Sequence, residues 1–203
     1  LLVTGPENLT YLTGYQTTGY YYLQVLVLPV DSEPFMVTRL LEDTNVWART
    51  WLELSRPYGD TQDPVGRLAS AIVEQGLGKA RIGYDEDCYF FRASEQRALR
   101  EALPDATLVP WRGAVEAERA VKSDEEIEVM QRASRAGEAG MHAAIEATRA
   151  GATENDVAAE LHRAMYAAGG EYVACPPFVV SGPRAAIGHA TWEGREIGRD
   201  DFV

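Results

Sequence analysis

The sequence predicts an α/β protein in two domains, the first over about residues 1–113 and the second over 114–203. Three observations predict it. Strand and helix signals alternate through the first half of the chain. From Ala114 onward the pattern turns strongly helical. That helical stretch then gives way to strand-like residues and a Gly/Pro turn at Ser181-Gly182-Pro183. A chain of 203 residues is long enough to bury a core in one or two domains.

The elements follow in order. Leu1 to Thr4 is apolar and reads as a strand, and Gly5-Pro6-Glu7-Asn8 reads as a turn. Tyr20 to Pro29 is rich in aromatic and β-branched residues and predicts a buried strand. Asp31-Ser32-Glu33-Pro34 turns the chain into a second strand, Phe35 to Thr38. Glu42 to Leu54 predicts a helix, with Val46, Trp47, Thr50, Trp51 and Leu54 on one side. Pro64 to Gln75 predicts another, with proline near its start and Gly76 past its end. Ala80 to Tyr84 reads as a strand, Ala93 to Leu103 as a helix and Thr107 to Val109 as a short strand.

In the second domain, Ser123-Asp124-Glu125-Glu126 has the spacing of a capping box. Behind it, Ile127, Met130, Ser134, Gly137, Met141, Ile145 and Thr148 recur at helical steps and predict the packed face of a helix. Gly151 ends that helix, and Thr153 caps the next, whose Val157, Leu161, Met165 and Ala168 share a face. Gly169-Gly170 stops it. Tyr172 to Val180 reads as strand, and residues 196–203 as a turn entering a strand that the sequence does not complete.

Composition narrows the function. Hydrophobic residues are 46% and charged residues 25%, as in ordinary globular proteins. The formal charge of −12, without a basic stripe, argues against nucleic acid and against an anionic membrane surface. No apolar run is long enough to span a bilayer. Cys88 and Cys175 are far apart and lack metal-type spacing, so two free thiols in a reduced cytoplasm are expected, Cys175 as a buried one. Leu1-Leu2-Val3 already reads as strand, which implies a native N-terminus further upstream.

The stretch Ser181-Gly182-Pro183-Arg184-Ala185-Ala186-Ile187-Gly188-His189-Ala190 carries the chemistry. Its histidine has small neighbours, Gly188 and Ala190, that leave room beside the ring. Imidazole is the usual side-chain proton carrier near neutral pH. From spacing alone, His189 reads first as a histidine that caps a strand turn through a backbone hydrogen bond, and only second as a catalytic group.

Three segments together resemble the creatinase/prolidase/methionine-aminopeptidase superfamily, the pita-bread hydrolases. They are Asn8-Leu9-Thr10-Tyr11-Leu12-Thr13-Gly14-Tyr15, then Ala120-Val121-Lys122-Ser123-Asp124-Glu125-Glu126-Ile127, then Ser181-Gly182 through His189. The resemblance implies a creatinase N-terminal-like α/β domain followed by the first half of a pita-bread α+β catalytic domain. It implies a hydrolase and a homodimer, with His189 as the catalytic acid/base. The Tyr20-Tyr21-Tyr22 cluster, Gln24 and the Pro34-to-Asp43 stretch are similar to the ectoine hydrolase branch, which opens a cyclic amidine. In register with creatinase, Tyr20 and Tyr22 match an aromatic and an arginine that reach the partner subunit's active site. They are therefore candidate substrate contacts, although tyrosine in place of arginine departs from creatinase.

The same resemblance leaves the cofactor open. Creatinase- and ectoine-hydrolase-like members use none. Peptidase-like members hold two divalent ions, such as Mn or Zn, on two Asp, a His and two Glu. In register, the first of those ligands falls beyond Val203, and residues 1–203 alone are expected to be inactive. A metal-dependent Xaa-Pro dipeptidase or aminopeptidase is the first alternative, and a non-catalytic binding module of the same fold is the second.

Duller readings stand beside these. Tyr20 and Tyr22, on one face of the predicted strand, read equally as packing residues, or as a cation–π surface for an amidine. Arg39 reads as the partner of Glu42 or Asp43. His142 and His162 are assigned no role.

Overall fold

A computed structural model describes residues 1–203. The chain divides into two compact units, Leu1–Val121 and Lys122–Val203.

The first unit is built on a five-stranded sheet. Its strands are β1 (Leu2–Val3), β2 (Val25–Val27), β3 (Phe35–Val37), β4 (Arg81–Asp85) and β5 (Thr107–Trp111). The order is β3-β2-β1-β4-β5. β1, β2 and β3 pair antiparallel, while β4 is parallel to both β1 and β5. The helices are α1 (Pro6–Thr13), α2 (Asp43–Arg49), α3 (Pro64–Glu74), α4 (Ala93–Ala102) and α5 (Ala114–Ala120).

Period-2 alternation sorts the strand side chains into two cores. Val3, Leu26 and Met36 pack with Leu9 of α1 and Val46 of α2. Leu2, Val25, Val27, Phe35 and Val37 point the other way, onto Leu68 and Ile72 of α3 and Leu99 of α4. Both faces of β2 and β3 are buried, which explains their unbroken apolar runs.

The sequence reading of this unit needs four corrections. Gly5-Pro6-Glu7-Asn8 is not a turn but the start of α1, with proline in the first turn where its missing N–H costs nothing. The strand predicted over Tyr20–Pro29 shrinks to Val25–Val27, and residues 20–22 form a turn. The helix predicted to Leu54 ends at Arg49, because Thr50 is extended and its hydroxyl donates back to Val46 O at 2.8 Å. Trp47 and Trp51, placed on its packed side, are exposed, and their indoles donate to Asp43 and to Leu12 O.

The motif from Asn8 to Tyr15 acts here as an architectural joint. Asn8 is buried and bonds α5 at both ends of its amide. Its Nδ2 donates to Glu116 at 2.6 Å, and its Oδ1 accepts from Arg119 at 2.7 Å. Gly14 ends α1 in the left-handed region, at φ 80°. A Cβ there would meet Arg49 O at 2.9 Å, so only glycine fits. Tyr15 is buried, with its hydroxyl 3.4 Å from that of Thr38.

The second unit is a helical hairpin, α6 (Asp124–Ala147) and α7 (Glu154–Ala167), followed by irregular chain. The capping box forms as predicted: Ser123 N donates to Glu126 at 2.7 Å, and Glu126 N donates to Ser123 Oγ at 3.2 Å. The buried face of α6 differs from the predicted one. It is Ala136, Gly140, Ala144 and Ala147, whereas Ile127, Met130, Met141 and Ile145 are exposed. Small residues win that face because α7 lies so close. A Cβ on Gly140 would stand 3.1 Å from Leu161 O. On α7, Val157, Ala158 and Leu161 are buried.

The strand predicted over Tyr172–Val180 does not form. Its backbone finds no ladder partner in this chain, and Cys175 is consequently exposed rather than buried. Residues further on are tied down by an isolated antiparallel bridge and one bond: Ile197 N donates to Ala152 O at 2.8 Å and Gly151 N to Ile197 O at 2.9 Å, and Gly182 N donates to Phe202 O at 2.8 Å.

Candidate active site

His189 lies in a turn just after the 3-10 turn Gly182–Ala186, not on a strand. It is exposed, and it is the one non-glycine residue with positive φ, at 59°. Histidine tolerates this region better than most residues, but a non-glycine there is uncommon and costs free energy. Its ring lies against Phe178, with centroids 5.6 Å apart. Phe178 also walls a groove of about 380 Å³ between α6 and α7, lined by Met141, Ile145, Val157 and Val179 among others. The groove is apolar, so it offers little to orient a zwitterion. His162 is differently placed: its Nδ1 sits 2.8 Å from Ala158 O, and its ring faces Trp192.

A buried polar network underlies the histidine turn. Its centre is Glu154, the first residue of α7 and fully buried. Oε1 accepts from Ser181 N at 2.7 Å and Ser181 Oγ at 2.9 Å. Oε2 accepts from Arg184 and from Glu193 N, the latter at 3.1 Å. Burial pushes the Glu154 carboxyl up, but bonds from Glu193 N, Ser181 and Arg184 outweigh it and hold the group below the usual carboxylate range. The helix N-terminus adds favourable field for the anion. Arg184 continues outward, donating to Thr191 O at 2.7 Å and pairing with Glu193 at 3.0 Å. Arg195 donates to Ser181 Oγ at 2.7 Å and to Asp201 at 2.5 Å.

The sequence reading missed this network. Its one visible signal is an acid in the first turn of a capped helix. The arginine that answers it, Arg184, lies 30 residues away, beyond the reach of local pattern.

Tyr20 and Tyr22 belong to the first unit, and His189 to the second. The tyrosines sit in an exposed turn and not on a strand, so no strand alternation places Tyr20 and Tyr22 on one face. Tyr20 packs edge-on against Tyr21 and Phe90 at 5.9 and 5.6 Å. The Tyr22 face is already covered by a cation: the Arg39 guanidinium lies 4.5 Å from its centroid. Arg39 pairs not with Glu42 or Asp43 but with Asp60, through two bonds of 2.6 and 3.0 Å. Glu42 is engaged by Thr17 and Asn45, and Asp43 by Ser55.

No three His, Cys, Asp or Glu side chains gather as a metal site would require. No helix is long and apolar enough to cross a membrane.

A mixed five-stranded α/β unit is followed by a helical hairpin with a histidine turn. Residues 1–121 match the Creatinase/Prolidase N-terminal domain, and residues 128–203 match Metallopeptidase family M24. The chain belongs to the creatinase/prolidase family of hydrolases. It is 28% identical to an ectoine hydrolase of Halomonas elongata, over 95% of this chain and 53% of that protein. It is 30% identical to an uncharacterized hydrolase/peptidase of Sinorhizobium fredii, over 97% of this chain and 54% of the relative. A prolidase structure from Pyrococcus horikoshii superposes with a TM-score of 0.79 at 19% identity, over 98% of this chain and 53% of that one. The chain thus spans about half the length of the relatives it matches.

Proposed function

We propose that the protein hydrolyses a non-peptide C–N bond in a small zwitterionic metabolite, with ectoine ring opening as the specific reaction. The observation that carries this reading is His189, held in a left-handed turn beside Phe178 with its ring exposed. In this role the imidazole protonates the leaving nitrogen or takes a proton from attacking water. Similarity to the Halomonas ectoine hydrolase over most of this chain supports the choice of substrate. Tyr20 and Tyr22 are proposed to contact substrate across a homodimer, with the Arg39–Tyr22 pair as the group presented to it. A guanidinium there suits a substrate carboxylate better than an amidine, which revises the chemistry assigned to Tyr22. The proposed setting is a reduced cytoplasm, in keeping with two free thiols.

The second reading is a metal-dependent Xaa-Pro peptidase, favoured by the match of residues 128–203 to Metallopeptidase family M24. One experiment separates them. The full-length protein is incubated with ectoine, creatine and an Xaa-Pro dipeptide, with and without chelator, alongside His189→Ala. Ectoine opening that survives chelator and falls about a hundred- to ten-thousandfold in the variant is the expected result. Cleavage of the dipeptide alone, abolished by chelator, overturns it. Ligand binding without turnover would identify a non-catalytic module.

A further inference from the structure

We infer that Glu154 is a positioning residue for His189: its buried carboxylate clamps the chain on both sides of the histidine turn. This rests on the acid/base reading of His189. The clamp is visible in the bonding. Before the histidine, Glu154 holds Ser181 and Arg184; after it, Glu154 holds the Glu193 amide. Arg184 also closes the loop across its mouth, donating to Thr191 O at 2.7 Å. Between these anchors the backbone makes only local bonds, Ile187 N to Arg184 O at 2.9 Å and Ala190 N to Ile187 O at 3.4 Å.

A left-handed non-glycine residue persists only where its surroundings over-determine it. Here four of the bonds that fix the two ends of the turn run to one carboxylate, beside Arg195 on Ser181 Oγ and Gly182 N on Phe202 O. Stability alone does not call for this arrangement, because an apolar pair of like volume serves a buried site as well as a charged pair does. Four directional bonds to one carboxylate instead fix where the turn begins and ends.

The test uses the full-length protein and three variants: Glu154→Gln, the double variant Glu154→Gln/Arg184→Met, and His189→Ala. Amide hydrogen exchange over residues 185–193 is read together with kcat, KM and Tm. Glu154→Gln should speed exchange in that loop about tenfold or more. It should lower kcat about a hundredfold while KM stays within about twofold. The double variant removes both charges of the pair, the buried Glu154 and the half-buried Arg184, so its Tm should recover while its kcat does not. Unchanged loop exchange in Glu154→Gln overturns the clamp. Recovery of kcat along with Tm in the double variant overturns it too, since it would show a merely structural role. If His189→Ala keeps full turnover, the acid/base reading fails, and loop exchange still decides whether Glu154 holds the turn.

Discussion

In the first unit the wholly buried large side chains are apolar or aromatic: Tyr15, Phe35, Met36, Leu68, Leu99 and their neighbours. In the second, the large side chain buried to that degree is a carboxylate, Glu154, bonded to the equally buried Ser181. The contrast extends to the helices. α3 puts Val65, Leu68 and Ile72 inside, whereas α6 buries three alanines and a glycine and leaves Met130, Met141 and Ile145 outside. The difference teaches where each unit draws its order. Apolar area removed from water holds the first together, and that force is non-directional. The second depends more on hydrogen bonds between fixed points, which are directional and can aim a side chain.

The largest expected effect breaks this comparison directly. Leu68→Ala or Phe35→Ala should destabilise the first unit by about 2–5 kcal/mol, because each opens a cavity in a closed core. Met130→Ala and Met141→Ala on α6 should cost within about 0.5 kcal/mol, as at other exposed positions. Urea unfolding of the 203-residue chain measures both sets. A core-sized loss at Met141 would mean that this stripe is covered in solution, and the contrast between the units would then fail.

The second effect is on pH, and the units should fail at opposite ends. In the second unit Glu154, Asp156 and Asp201 all sit below the ordinary carboxylate values of 4.5 and 3.8. For Asp156 the cause is the Thr153 N–H and hydroxyl; for Asp201 it is Arg195 and the Gly198 amide. A depressed pKa gives stability that is present above the unfolded value and lost as pH falls through the folded one. The second unit should therefore loosen first in acid. In the first unit, burial pushes the Tyr15 and Tyr58 phenols up to about 12 from 10.0. A raised pKa gives stability that is present below the unfolded value and lost as pH rises through the folded one. The first unit should therefore loosen in alkali, as those phenols ionise. In acid the first unit carries opposing groups: Asp85, raised by burial, favours it, and the exposed Asp60, lowered by its bonds from Arg39, works against it, whereas the second unit's lowered carboxylates all act one way. Hydrogen exchange resolved by unit, with tyrosinate absorbance on the alkaline side, checks this. Simultaneous loss of both units at one end would sink the prediction.

Legibility in the sequence follows the same divide. The fold class was readable because α3 and α4 obey helical periodicity and β3 and β4 are short apolar runs bounded by turn residues. Asp63 before Pro64 and Gly76 after Gln75 mark α3 within two residues of its observed ends. The errors came where a contact distant in sequence decides. Tyr20–Tyr22 have strand chemistry but form a turn that Thr17, Glu42 and Arg39 hold in place. The packed face of α6 was misjudged because close approach to α7 selects alanine and glycine over larger apolar residues. Of the candidate site, His189 was readable from its motif, but its left-handed backbone was not. Nor was Glu154, whose partners lie 27 to 39 residues away.

The smallest effect sharpens the comparison by giving it a common baseline. Asp63 caps α3, accepting from Val65 N and Gly66 N at 3.2 and 3.0 Å. Thr153 caps α7, accepting from Asp156 N at 3.1 Å. Replacing either by alanine should cost about 1 kcal/mol at neutral pH, since each strands one or two helix-end amides. On that count the units are alike. They should separate on acidification. The Thr153 hydroxyl donates to Asp156 at 2.8 Å and helps keep that carboxyl ionised. Thr153→Ala should thus move the Asp156 pKa up and flatten the acid limb of the second unit's stability curve. Asp63→Ala has no such tie to another carboxylate. Parallel acid titrations of the two variants, followed by hydrogen exchange in α3 and α7, measure the difference. Equal slopes in both would show that Asp156 draws its low pKa from its backbone partner, Thr153 N at 2.8 Å, and not from the hydroxyl.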